Sequence, residues 1–314
     1  MNLLLRHCAL LIQRLFCGFD DRAARYIDVE LSDQCAPIFL IGAPRTGSTL
    51  LLQLLVRQVR VAYISNAMAA APRFMVPICC FSQRACMGFN GNVRNSEFGF
   101  VPGLWAPNEA GQVMRDWFGE SADDTETPKV RAMFAAIADA AQAPLVLKNQ
   151  SNTLRLARIR RTFPAARLLL LRRDLRWTAQ SLLLARRRLV GDERQWWSVA
   201  PPGFANISHR EPLYQVLWQA DRLEQIALDA CLAAPQRAAV VDYEDLCAHP
   251  GQTLLGLGQR FELATTGAPP PTLSASTARR LTTHEWDELN ALYAEHFAGP
   301  QEARRDAAVD LRVL

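Results

Sequence analysis

The chain has no histidine between His7 and His209, and its eight cysteines form neither a CxxC pair nor an evenly spaced framework. Zinc-ligand spacing and a disulfide scaffold are therefore both disfavoured, and reduced thiols in a cytoplasmic protein fit better. There is no helix-turn-helix, zinc-finger or aromatic RNA-binding signature, which argues against a nucleic-acid partner despite a net charge of +4. Long apolar runs are missing too. The longest candidate, Met1 to Phe19, is broken by Arg6, His7, Gln13 and Arg14 and is too short to span a membrane. It reads as an amphipathic helix within a helical extension over residues 1–30. No internal repeat divides the 314 residues, so one domain is expected.

What is present is a strand, a glycine turn and a helix opening over residues 38–52, IFLIGAPRTGSTLLL. Gly42 and Gly47 lie five apart and are followed by Ser48 and Thr49. Backbone N–H groups can then turn inward while a helix N-terminus faces an anion. A Walker A loop has lysine after the second glycine; here Ser48 stands there and the loop's cation is Arg45. Arginine also concentrates between Arg155 and Arg188, which implies an anionic ligand nearby.

Hydrophobic patterning predicts strands at Ile38–Ile41, Val61–Ile64, Leu145–Leu147, Arg167–Leu171 and Ala238–Val241. Helices are expected at Thr49–Gln58, Lys129–Ala141, Thr153–Thr162, Arg176–Arg188 and Pro212–Ala233, and the first two strands are expected to be neighbours. The alternation predicts an α/β protein: a three-layer, P-loop-like fold with a central parallel sheet flanked by helices. Residues 67–128 and 191–210 read as irregular, aromatic-bearing insertions that line an acceptor site.

A second element supports the anion reading. Strand Arg167–Leu171 runs into Arg172-Arg173-Asp174, with Ser181 eight residues beyond Arg173 on the next helix, where both can converge on one anion. Together, the Gly-Ala-Pro-Arg-Thr-Gly-Ser-Thr loop and the Arg173/Ser181 spacing resemble the sulfotransferases that use 3′-phosphoadenosine 5′-phosphosulfate (PAPS). The likeness extends from residue 38 to about 260 through Val-Leu-Lys-Asn-Gln, ending at Gln150, and through Tyr243-Glu244-Asp245-Leu246 with His249-Pro250. It is nearer to bacterial and tyrosylprotein-type members than to the cytosolic members that use a histidine base.

The resemblance implies a donor site formed by Arg45, Thr46, Gly47, Ser48 and Thr49 at the 5′-phosphosulfate and by Arg173 and Ser181 at the 3′-phosphate. It further implies Arg186 near the nucleotide, Tyr243 near the adenosine, and Lys148 with Arg45 beside the bridging oxygen. PAPS would be the donor, adenosine 3′,5′-bisphosphate (PAP) the product, and no metal is expected. Two positions depart from the pattern. Leu175 replaces the usual proline, and Gln150 replaces the catalytic histidine, so the acceptor's proton must go elsewhere. Glu97 and Glu109, both flanked by apolar and loop-forming residues, are the first candidate bases, with His209 or His284 from the later loops as alternatives.

The implied acceptor is a small molecule, lipid or carbohydrate carrying a hydroxyl or amine, and homodimerisation is compatible with these features. Two rival readings stay open at this point: a P-loop kinase-like enzyme, and a silent protein that binds a 3′-phosphonucleotide without turnover.

Overall fold

The computed structural model describes residues 35–85, 87–89, 91, 93, 99–120 and 127–313. The expected N-terminal helix and Glu97 lie outside the described residues. In chain order the elements are β1 (Ile38–Ile41), α1 (Ser48–Gln58), β2 (Ala62–Tyr63), α2 (Asn66–Ala70), α3 (Met75–Arg84), α4 (Gly111–Phe118), α5 (Thr127–Ala141), β3 (Leu145–Lys148) and α6 (Leu156–Thr162). They continue as β4 (Arg167–Arg172), α7 (Leu175–Leu189), α8 (Pro212–Leu232), β5 (Ala238–Asp242), α9 (Tyr243–Ala248), α10 (Pro250–Arg260), α11 (Thr283–His296) and α12 (Ala298–Ala307).

The strands form one parallel sheet in the order β2-β3-β1-β4-β5. β1, β3 and β4 are buried along their whole length, as expected of apolar runs covered on both faces. One packed layer includes Phe39, Phe118, Phe134 and Phe163. Leu51, Leu54 and Leu55 of α1 close the opposite face against Leu169 and Val241. The α/β three-layer architecture expected from the sequence is present.

Three local expectations are corrected. β1 and β2 are not neighbours: β3 lies between them, pairing Phe39 with Leu147 on one side and Ala62 with Leu145 on the other. The two-residue β2, with Ala62 buried and Tyr63 partly so, takes the edge, and the fully buried β3 takes an inner slot. Residues 67–128 are less irregular than their glycine and proline content suggests, because they contain α3 and α4. Pro77 sits in the first turn of α3, where its missing N–H has no intrahelical partner to lose. The predicted helix from Thr153 splits into a 3₁₀ turn, Gln150–Leu154, and α6, with the Asn149 side chain accepting a cap bond from the Ser151 N–H at 3.0 Å.

Candidate active site

The loop between β1 and α1 is held by contacts from distant parts of the chain. Gly42 takes φ 124°, and its N–H donates to Thr153 Oγ1 at 2.9 Å while that hydroxyl donates back to the Gly42 carbonyl at 3.1 Å. Gly47, at φ 99°, has no side chain to cap α1, so no side-chain acceptor competes for the helix's first N–H groups. A Cβ at Gly47 would stand 2.6 Å from the Tyr243 ring. Glycine is thus required by both conformation and space.

These groups border a cleft of about 630 Å³ at the carboxyl ends of the strands, which is where open α/β sheets place ligands. Its lining brings together Arg45, Gly47, Ser48, Thr49, Glu109, Lys148, Arg173, Ser181 and Tyr243, nearly the set the sequence singles out. Thr46 lies just behind, buried, its hydroxyl donating to the Ala43 carbonyl at 3.1 Å. Val93, Gly99 and Glu109 reach the cleft from the first long insertion, and Trp197 and Ser198 reach it from the second.

Lys148, at the end of β3, is buried and forms an ion pair with Glu109. It also donates to Thr49 Oγ1 at 3.2 Å. Burial lowers its pKa and the Glu109 carboxylate pulls the other way. Gly99 is needed here, since any side chain on it would run into the Glu109 carboxylate. Gln150 donates to Ser48 Oγ at 2.7 Å, so the residue standing in the histidine position supports the loop.

In the same lining, Arg45 Nε donates to Ser181 Oγ at 3.0 Å, and Arg173 donates to the Arg45 carbonyl at 3.2 Å. The Arg173 guanidinium also lies 4.6 Å from the centre of the Tyr243 ring and bonds to the Ser276 carbonyl. The Arg45 pKa is lowered, first by burial and then by the charges of Arg173 and Arg280. Cations crowded together in this way gain most from an anion placed between them. The proline missing at Leu175 does not leave the turn open: Asp174 caps α7 by accepting from the Arg176 N–H at 2.9 Å.

Arg186 is not brought to the cleft. It is wholly buried against α8, donating to Gln215 Oε1 at 2.8 Å and Gln219 Oε1 at 3.1 Å, with its guanidinium 4.9 Å from the Trp196 ring centre. Burial pulls its pKa down to about 10, well above neutrality, so it remains a cation. Its neighbours are structural rather than part of the cleft lining.

Several residues at the site are not legible from motifs. Residues 266–282 carry no helix or strand and cross the cleft as a strap, contributing Leu273, Ser274, Ser276 and Arg280. Gln180 fastens it, donating to the Ala278 carbonyl at 3.0 Å and accepting from the Arg280 N–H at 2.8 Å. Ser276 N–H donates to the Tyr243 hydroxyl at 3.2 Å.

A parallel α/β sheet with a cation-lined cleft at its strand ends defines an α/β protein whose cleft suits an anion. Residues 37–267 match the sequence profile of the sulfotransferase family, and the chain belongs to that family. No curated protein matches it. Among solved structures it is similar to the sulfotransferase STF9 from Mycobacterium avium, at 15% identity and a TM-score of 0.50, covering 88% of this chain and 73% of that one. The sulfotransferase STF1 from Mycobacterium tuberculosis H37Rv is similar at 19% identity and a TM-score of 0.49, covering 96% of this chain and 82% of that one. The likeness to STF9 concerns the fold. Among the described residues, no helix is long and apolar enough to cross a membrane.

Proposed function

We propose that the protein transfers a sulfuryl group from PAPS to a hydroxyl or amine acceptor, with PAP as product. The observation that carries this reading is the convergence of Arg45, Lys148, Arg173 and Ser181 on one cleft, with Glu109 held against Lys148. The cleft lining supports this donor: it offers several cations, a helix N-terminus without a side-chain cap, and the Tyr243 ring beside Arg173.

PAPS, when bound, supplies an SO₃ group on a phosphate leaving group. Arg45 and the N–H groups at the start of α1 would hold the 5′-phosphosulfate. Arg173 and Ser181 would hold the 3′-phosphate, and Arg280 adds charge from the strap. Lys148 would face the bridging oxygen and offset the charge that grows there as the S–O bond breaks; one such contact is typically worth about 2.7–4 kcal/mol. Glu109 would take the acceptor's proton as the new O–S bond forms, and the phosphate leaves with the bridging electron pair. Sulfuryl transfer, like phosphoryl transfer, leaves positioning and charge stabilisation as the protein's main contribution. In this scheme Arg186 packs α7 against α8 and touches no donor atom.

The test is label transfer from ³⁵S-PAPS to a panel of phenols, alkanols, amines and sugars. Labelled product that disappears in Lys148→Met supports the reading. ATP–Mg²⁺-dependent phosphorylation of the same panel, without label transfer, would overturn it in favour of a kinase-like enzyme.

A further inference from the structure

A second cavity, of about 300 Å³, lies at the β2 edge of the sheet, apart from the cleft lining. Its floor is buried, formed by Ala62, Ser65, Met68 and Cys79, and its mouth is marked by the exposed Met87 and Gly88. No lining residue carries a formal charge at neutral pH: burial pushes both the Tyr63 hydroxyl and the Cys79 thiol up to about 12. The rim is apolar. Phe81, Met87 and Leu104 are large hydrophobic side chains left 57%, 40% and 61% exposed. Phe81 packs its ring 6.3 Å from that of Trp105, which lines the cavity. The volume falls at the lower end of small-molecule pockets, roughly 300–1,000 Å³.

The segment that walls this cavity is the one that delivers Glu109. Ser65 bridges Pro107, the Asn66 N–H donates to the Ala106 carbonyl at 2.9 Å, and the Asn108 N–H donates to the Ile64 carbonyl at 2.8 Å. The Tyr63 hydroxyl donates to the Trp105 carbonyl at 2.9 Å, and the Asn66 amide donates to the carbonyls of Val101 and Gly103. Trp105 in the cavity and Glu109 in the cleft are four residues apart on this fastened segment, so their Cα atoms are separated by no more than about 14 Å.

We infer that this cavity is a binding site for the uncharged, apolar end of the acceptor, making the acceptor a neutral amphiphile that carries its hydroxyl and its alkyl or ring group at opposite ends. The assignment of that ligand as acceptor rests on the sulfuryl-transfer reading of Glu109 and Lys148. The cavity's preference for neutral over charged groups stands on its uncharged lining alone. Soft side chains such as Met68 and Met87 adapt to alkyl chains, and a charged headgroup would find no counter-charge.

The test uses the full-length protein with 1-octanol, octanoate and octylammonium, titrated calorimetrically alongside PAP. A Cβ at Gly88 would meet nothing within 4 Å, so Gly88→Trp can plug the mouth without a clash, and Gly88→Ala serves as the open control. The inference predicts saturable 1-octanol binding at least tenfold tighter than either ion, weakened at least tenfold in Gly88→Trp but kept in Gly88→Ala. PAP affinity should be equal in all three proteins. With PAPS present, formation of octyl sulfate should exceed that of butyl sulfate at least tenfold in kcat/KM, a ratio that collapses in Gly88→Trp. Binding that Gly88→Trp leaves intact, or that favours either ion, overturns the site. Mouth-sensitive 1-octanol binding and normal PAP binding without octyl sulfate would overturn the acceptor assignment. Loss of PAP binding alone would instead strike the donor reading and leave the apolar site standing.

Discussion

Arg45 and Ser181 stand 136 positions apart in the chain and are joined by a 3.0 Å hydrogen bond that connects the glycine loop to α7. The Arg173 side chain, in the turn before α7, donates to the Arg45 carbonyl and ties the loop to that turn as well. Groups that we propose meet a single ligand are here already in contact, so little reorganisation would be needed on binding. Ser181→Ala should weaken PAP binding about 3- to 10-fold, the worth of one hydrogen bond of about 0.5–1.5 kcal/mol. Titration calorimetry measures it, and the thermal midpoint should be nearly unchanged.

Glu109→Gln removes the group to which we assign the acceptor's proton while keeping its shape. Sulfuryl transfer should fall by about 10²–10⁴, the usual range for loss of a general base. PAP affinity should change only a few-fold. Rate and binding measured on the same preparation separate the two effects, and equal losses in both would assign Glu109 to donor binding.

Arg186→Met gives the opposite pattern. Gln215 and Gln219 would each lose a buried donor, at a cost of roughly 2–3 kcal/mol in stability. PAP affinity of the folded fraction should match wild type. Denaturant melts with parallel calorimetry check both halves of this expectation.

Glu224 makes stability depend on pH. It is buried on α8, and its Oε1 finds no hydrogen-bond partner among the described residues. Burial raises its pKa from 4.5 to about 7, against the lowering charges of Arg172 and Arg304. The folded state therefore holds this proton where the unfolded state has released it. Its contribution is full below pH 4.5 and is lost as the pH rises through about 7. Glu224→Gln should be more stable than wild type at pH 8 by roughly 2–3 kcal/mol, with the gap closing towards pH 5. Urea melts at the two pH values are the measurement.

The cation positions at the site were legible because each follows a local rule. Arg45 lies in a glycine loop, Lys148 ends a buried strand, and Arg173 and Ser181 fall across a strand-to-helix turn. Lys148 is also conspicuous in composition, since Lys129 is the chain's other lysine. Arg186 shows where spacing fails. At five residues beyond Ser181 on α7 it lies about 140° further round the helix, a face that packs on α8. Thr153, Gln180, Ser276 and Arg280 were not legible, because their roles arise from contacts between remote segments that no local pattern carries. The place of β3 between β1 and β2 is likewise a matter of strand order, which alternation of strands and helices leaves open.

In our reading the cleft is a PAPS site rather than an ATP–Mg²⁺ site. Calorimetric titration of PAP and of ATP–Mg²⁺ into wild type, Arg45→Ala and Arg173→Ala tests it most directly. The account predicts preferential binding of PAP, weakened roughly 10- to 100-fold by either substitution, as expected for charge-assisted contacts of about 1.5–3 kcal/mol. Tighter binding of ATP–Mg²⁺, or PAP binding indifferent to both arginines, would contradict it.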